Sequence, residues 1–364
     1  MLIDTCFVIS CNAIVKPQPL QLRYKMLSEK MGTISNNTES RMKRNTTIEI
    51  LRFLFIYLIV VTHVFIHGNN LEYSSVYTLG ANLLTSFHFE VVMLGKIGVI
   101  GFVFISGYYG IKLNIGKIVD IVLIVLFYLI FLQVLAKRPA EEILFYIFRP
   151  FEQWWFIRYY LVLMLLSPIL NEGWRLVNEK QRHFIVMALL YVFCFAMFLG
   201  RNDSHDLTIM VVCYLTGRYV HDAVFNRKCL YFLSILSLIL YLLIATLLAN
   251  FESPYHYLDI WYSHNNILLI IFVAGMVLWA DKHQFRIPFV NQIASSILAI
   301  YLITDYGHLR SWNHIMLPYM FNGIGYLWCF FICIACIFVD RVRAIMFNSM
   351  ASLITFSRKR TIQN

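Results

Sequence analysis

Ile48-Glu49-Ile50-Leu51-Arg52-Phe53-Leu54-Phe55-Ile56-Tyr57-Leu58-Ile59-Val60-Val61-Thr62-His63-Val64-Phe65-Ile66 is a run in which only Glu49, Arg52 and His63 carry ionisable groups of the acid, guanidinium or imidazole kind. A helix needs roughly 20 predominantly apolar residues to cross ~30 Å of hydrocarbon. Lipid offers the backbone no hydrogen-bond partners, so a crossing segment must close its own as a helix. The stretch therefore reads as a membrane span. Nine further runs read the same way, near 92–110, 118–136, 156–171, 184–200, 207–220, 229–250, 263–280, 291–308 and 322–340. The expected fold class is all-α, a polytopic membrane protein with about ten transmembrane helices.

Composition agrees. Of 364 residues, 60% are hydrophobic and 14% charged, whereas a soluble domain is nearer one-quarter charged. Too few charges remain to wrap a core in a polar shell, and disordered, collagen-like and disulfide-rich secreted classes are excluded on the same grounds. The net charge of +10 suggests nucleic acid in a soluble protein. Here it reads as the Lys/Arg excess of cytoplasmic loops, with no nucleic-acid partner expected. With residue 1 inside, the cytoplasmic segments hold 21 Lys and Arg and the outer ones hold 6. Both termini are thus expected in the cytoplasm, and the bilayer is one expected partner.

Three regions are expected. Residues 1–41 are mixed and moderately polar, and Met42-Lys43-Arg44-Asn45 stands just before the first span. This predicts a disordered tail or a gene-start artefact over 1–41. A transmembrane domain covers 42–345, and a basic cytoplasmic tail covers 346–364. Cys329, Cys333 and Cys336 share a helix face by spacing, but no His lies in that run to complete a zinc set, so packing is expected and no metal.

Ionisable groups at span depth are costly, by ~2.5–3.5 kcal/mol each on insertion scales. Arg52 and His63 are eleven residues apart, and at ~100° per residue this falls about 20° from three full turns. They share one face, about 16 Å apart along the axis. Glu49 lies three residues before Arg52, within side-chain reach. An imidazole can take a proton from a hydroxyl at neutral pH, and a guanidinium can hold a phosphate or carboxylate through two parallel hydrogen bonds. Arg158, after Trp154-Trp155-Phe156-Ile157, is read equally as a snorkelling side chain or as a cavity group. Asp305 is a further intramembrane candidate, with His264, Arg218 and His308 near span ends. Gly98, Gly101, Gly107 and Gly110 point to close helix packing. No Walker, nucleophile-elbow, HExxH or paired CxxC motif is present.

The segments Glu49-Ile50-Leu51-Arg52 to His63, Ser106-Gly107-Tyr108, Trp155-Phe156 with Leu166-Ser167-Pro168-Ile169-Leu170-Asn171, and Ser295-Ser296-Ile297-Leu298-Ala299-Ile300-Tyr301-Leu302 together resemble the membrane-bound acyltransferase 3 family, of the bacterial surface-polysaccharide O-acetyltransferase type. The resemblance covers about 42–345. Two departures stand out: Thr304 and Asp305 follow Tyr301-Leu302-Ile303 where many members carry a His, and only Lys112 and Lys117 follow the Ser-Gly segment where many carry Arg-x-x-Arg.

The resemblance implies an integral inner-membrane O-acyltransferase. It would move an acyl group, usually acetyl, from acetyl-CoA to a carbohydrate hydroxyl of a cell-surface glycan or lipid-linked sugar. His63 would be the general base, Arg52 the coenzyme-binding or charge-stabilising group, and Glu49 its support. Substrate contacts are expected from Arg158, Trp155, Ser106, Tyr108, Lys112, Asn171, Tyr301 and Asp305. The chemistry needs no metal and no permanently bound cofactor, because a thioester is already activated and needs only alignment and oxyanion stabilisation. A transporter or flippase for a glycan or small metabolite is the competing reading, since intramembrane charges serve it equally well. No matching pair of Gly/Pro-broken spans in two halves supports it.

Overall fold

The computed structural model describes residues 45–69, 71, 83–198, 206–223, 227–250, 261, 264–310, 313, 318–319 and 322–363. The expectation for residues 1–41 lies outside the described residues. Among these residues the secondary structure is entirely helical. The helices are α1 Thr46–Phe65, α2 Leu83–Met93, α3 Gly95–Tyr109, α4 Ile115–Leu135, α5 Ala140–Phe148, α6 Trp155–Leu176 and α7 Glu179–Phe198. They continue with α8 Asp206–Asp222, α9 Arg227–Asn250, α10 Ile267–Lys282, α11 Pro288–Ile293, α12 Ile297–Thr304, α13 Gly307–Arg310 and α14 Gly323–Gln363.

Over its described residues, each of the ten apolar runs lies mainly on helix. Among the described residues five segments are long and apolar enough to cross a membrane: Thr46–Asn69, Ser86–Tyr109, Ile115–Leu135, Arg227–Leu248 and Gly323–Ser349. The other runs lie on helices that are shorter, such as α8 and α10, or that carry more charge, such as α6 with Arg158, Glu172 and Arg175. Helix α5 occupies a stretch that the hydropathy pattern treats as a connection.

Asparagine starts three of the helices. Asn45, Asn114 and Asn266 each accept a hydrogen bond from a first-turn backbone N–H, of Thr47, Lys117 and Leu268 respectively. An asparagine carbonyl at this position satisfies one of the orphan amides of the first turn. Asn45 also donates to Ala280 O at 3.0 Å, and Thr46 N donates to Phe285 O at 3.1 Å. The start of α1 is thereby tied to the connection between α10 and α11.

Helix α1 lies between two hydrophobic cores. One joins it to α4, the start of α6, α12 and α14; the other joins it to α3, α8 and α10. Small residues set the α3 contacts, as the glycine spacing predicts. A Cβ on Gly98 would sit 2.5 Å from Phe55 O, and one on Gly107 would sit 2.0 Å from Tyr214 O. Such backbone contact between helices is open only to residues without side-chain bulk. It brings α1, α3 and α8 close together and leaves the space along the other flank of α1 to be closed by α6 and α12.

Candidate active site

That space is a cavity of about 300 Å³. One wall is the α1 stripe Arg52, Ile56 and Ile59, successive positions on a single helix face. The facing walls include Ser106 on α3, Phe156 and Tyr160 on α6, and Ile297 and Tyr301 on α12. The lining is mostly apolar with a few polar groups, the usual make-up of a small-molecule site.

Arg52 marks one end. Its Nη1 lies 3.0 Å and 3.3 Å from the two carboxylate oxygens of Glu49. Glu49 is buried, while the Arg52 side chain is 34% exposed. The carboxylate thus anchors a guanidinium that keeps donors free for a ligand. Tyr109, one residue beyond the Ser-Gly-Tyr segment, is an electrostatic neighbour of Arg52.

His63 stands one helical turn beyond Ile59 and is buried. It is not on the cavity wall. Its ring centroid is 6.0 Å from that of Tyr301, which is. Nδ1 is hydrogen-bonded, and Nε2 lies within ion-pair distance of a carboxylate. Nδ1 is 3.2 Å from the Thr304 hydroxyl and Nε2 is 3.3 Å from Asp305 Oδ1. Asp305 is held in turn by Arg310, whose Nη2 is 2.8 Å from the same oxygen and whose Nε donates to the Asp305 carbonyl at 2.8 Å. The Tyr301 hydroxyl faces this carboxylate without a well-aligned hydrogen bond.

The remaining expected contacts divide. Ser106 is on the wall; its hydroxyl donates to Phe102 O at 2.8 Å and pairs with Tyr160 Oη at 3.0 Å. Tyr108 donates to Asp281 at 3.0 Å, and Tyr109 donates to the other oxygen of the same carboxylate at 2.9 Å. Asn171 donates to Ile111 O at 2.8 Å and accepts from Tyr214 Oη at 2.7 Å, which fixes the chain after Gly110. Lys112, in that same connection, is exposed. Arg158 is exposed, stacked 4.7 Å over the Tyr159 ring, as a snorkelling side chain would be. Trp155 packs edge-on against Phe156 and His264. None of Tyr108, Asn171, Lys112, Arg158 and Trp155 is on the cavity wall. Sequence reasoning missed Thr304 and Arg310 as partners in the His63 cluster. The signal available was the polar Thr304-Asp305 pair ending an apolar helix, with Arg310 five residues on.

A buried imidazole, a paired guanidinium and an apolar cavity thus lie on one set of packed helices, several of them long and apolar enough to cross a membrane. A family model described as an acyltransferase domain matches residues 45–339. The chain belongs to the acyltransferase 3 family. No curated protein matches it. No solved structure matches it either. The family match carries membrane acyltransferase activity and disfavours the transporter reading.

Proposed function

We propose that this protein is a multi-pass enzyme of the cell inner membrane that transfers an acetyl group from acetyl-CoA to a carbohydrate hydroxyl of a surface glycan or lipid-linked sugar. The chain crosses about ten times with both termini in the cytoplasm, the disposition favoured by the 21 to 6 distribution of Lys and Arg. Residues 42–345 form the transmembrane enzyme, 346–364 its basic cytoplasmic tail, and 1–41 a segment outside it.

The observation that carries the reading is the cavity bounded by Arg52 at one end and, at the other, by Tyr301 beside His63. On this reading the Arg52 end is cytoplasmic, and its guanidinium binds the anionic coenzyme while Glu49 holds it in place. The acceptor hydroxyl gives its proton to His63 as its oxygen attacks the thioester carbonyl. The C–S bond then breaks, and the proton leaves His63 with the CoA thiolate. Withdrawal of water by the apolar walls strengthens each of these electrostatic contacts.

The test is ester-linked acetate in envelope glycans from cells with the wild-type gene, with no gene, and with His63→Ala at matched membrane levels. Acetate absent from both altered strains is the expected result. Acetate retained in the His63→Ala strain but absent from the deletion removes His63 as the base. Acetate unchanged in the deletion overturns the envelope glycan as acceptor.

A further inference from the structure

We propose that Asp305, clamped by Arg310, is a positioning residue that holds the Nε2 proton of His63 and leaves Nδ1 as the nitrogen that accepts the proton from the acceptor hydroxyl. This inference rests on the acyltransferase reading and reassigns Asp305 from a substrate contact to a partner of the base.

The argument is one of donors and acceptors. A carboxylate only accepts, so the ring nitrogen facing it must carry a hydrogen. Asp305 Oδ1 faces Nε2 at 3.3 Å, which makes Nε2 the protonated nitrogen and leaves a lone pair on Nδ1. The two sides of the ring also differ in how firmly they are held. Asp305 is fixed by Arg310 through both its carboxylate and its carbonyl, and its backbone N–H donates to Tyr301 O at 2.9 Å. The Thr304 hydroxyl, on the Nδ1 side, has a second outlet: it lies 2.8 Å from Ile300 O. It can release His63 without being stranded. The exchangeable place is therefore at Nδ1, where the Thr304 hydroxyl sits as an acceptor hydroxyl would. Tyr301, on the same α12 face one turn before Thr304, joins that place to the cavity.

A base that gains a proton becomes cationic, and an adjacent carboxylate favours that form. The charged and titratable groups facing His63 are Asp305, Arg310, Tyr301, His67 and Lys96, so the effect of Asp305 must be isolated by substitution.

The experiment uses membranes carrying the full chain. They are supplied with radiolabelled acetyl-CoA, and alkali-labile label in glycan is counted between pH 5 and 9. Asp305→Asn is expected to lower the rate by more than about 100-fold, the scale of a lost general base. It is also expected to move the acid limb of the pH profile to lower pH, because a neutral amide no longer stabilises the imidazolium. Asp305→Glu should recover part of the rate and the original limb, and Thr304→Val should cost less than about tenfold. A uniform loss at every pH with an unmoved limb, or a loss in Thr304→Val equal to that in Asp305→Asn, overturns the proposal.

A second measurement needs no acceptor. Diethyl pyrocarbonate acylation of His63, followed by peptide mass spectrometry across the same pH range, should show its midpoint moved down in Asp305→Asn. An unmoved midpoint overturns the proposal whatever the transfer assay gives. Wild-type membranes that transfer no label, with the midpoint moved, place the fault in the acetyl-transfer reading alone.

Discussion

At the scale of single residues, the stripe on α1 was legible because it is local. Eleven residues at the helical angle put Arg52 and His63 on one face, and the structure has Arg52 bonded to Glu49 as the three-residue spacing requires. The partners of His63 were not legible, because hydrogen bonding to Thr304 joins positions 241 apart in the chain, a separation that carries no periodic signal. Sequence marked Asp305 as an expensive intramembrane charge without saying what compensates it. Arg52 supplies a prediction at this scale. A guanidinium binds phosphate through a planar pair of donors, whereas an ammonium is a point charge. Arg52→Lys keeps the charge and loses the fork, so the KM for acetyl-CoA should rise by about tenfold while kcat changes by no more than a few-fold. Steady-state transfer at varied acetyl-CoA separates the two constants; an unchanged KM removes Arg52 from the donor site.

At the scale of helices, the ten runs follow from hydropathy, whereas α5 does not. It is nine residues long, buries none of them, and exposes Leu144, Phe145 and Phe148, so neither length nor burial pattern distinguishes it from a connection. Pairings between helices were equally hidden. Asp340 on α14 accepts from Tyr128 of α4 at 2.9 Å and from Arg343 at 2.8 Å, all with little solvent exposure. Removing the carboxylate leaves a guanidinium in a dry site, so Asp340→Ala should destabilise by ~3–5 kcal/mol. Tyr128→Phe removes one hydrogen bond and should cost about 1 kcal/mol. Unfolding of the purified protein in detergent orders the two, and equal costs would show that α4 and α14 are held by apolar packing.

The ends of α6, α7 and α8 meet at another carboxylate. Asp222 accepts from Trp174 Nε1 at 2.7 Å, His221 at 2.9 Å and Arg182 at 3.4 Å. Burial pushes this carboxyl up, but the hydrogen bonds of His221 and Trp174, with Arg218 nearby, outweigh it and hold the group below its ordinary value of 3.8. A carboxyl depressed on folding stabilises above its unfolded value, and that contribution is lost as pH falls through the folded one. The gap in melting temperature between wild type and Asp222→Asn should therefore be steady from about pH 7 to pH 5 and close below about pH 4. A gap that persists in acid would mean that the amide loses packing alone.

At the scale of the whole molecule, the site makes sense only with a direction across the bilayer. The proposed donor, acetyl-CoA, is highly anionic and does not cross a membrane unaided, so that reading requires the Arg52 end of the cavity to open to the compartment that holds it. On the proposed function the glycan acceptor is met at the His63 end. The positive-inside rule favours the same direction, since on the proposed ten-span topology the excess of Lys and Arg falls on the side of the start of α1. On this reading Lys282, at the end of α10, is cytoplasmic, and Arg149, after α5, is outside. A membrane-impermeant maleimide applied to cells whose outer barrier is opened should label Arg149→Cys above the background of the native cysteines. It should leave Lys282→Cys unlabelled until the inner membrane is breached. Labelling of Lys282→Cys alone would reverse the orientation and put Arg52 on the side without coenzyme. Labelling of both from outside would mean an even number of crossings between them, and would put the start of α1, which is tied to Ala280 and Phe285, on the outer side as well.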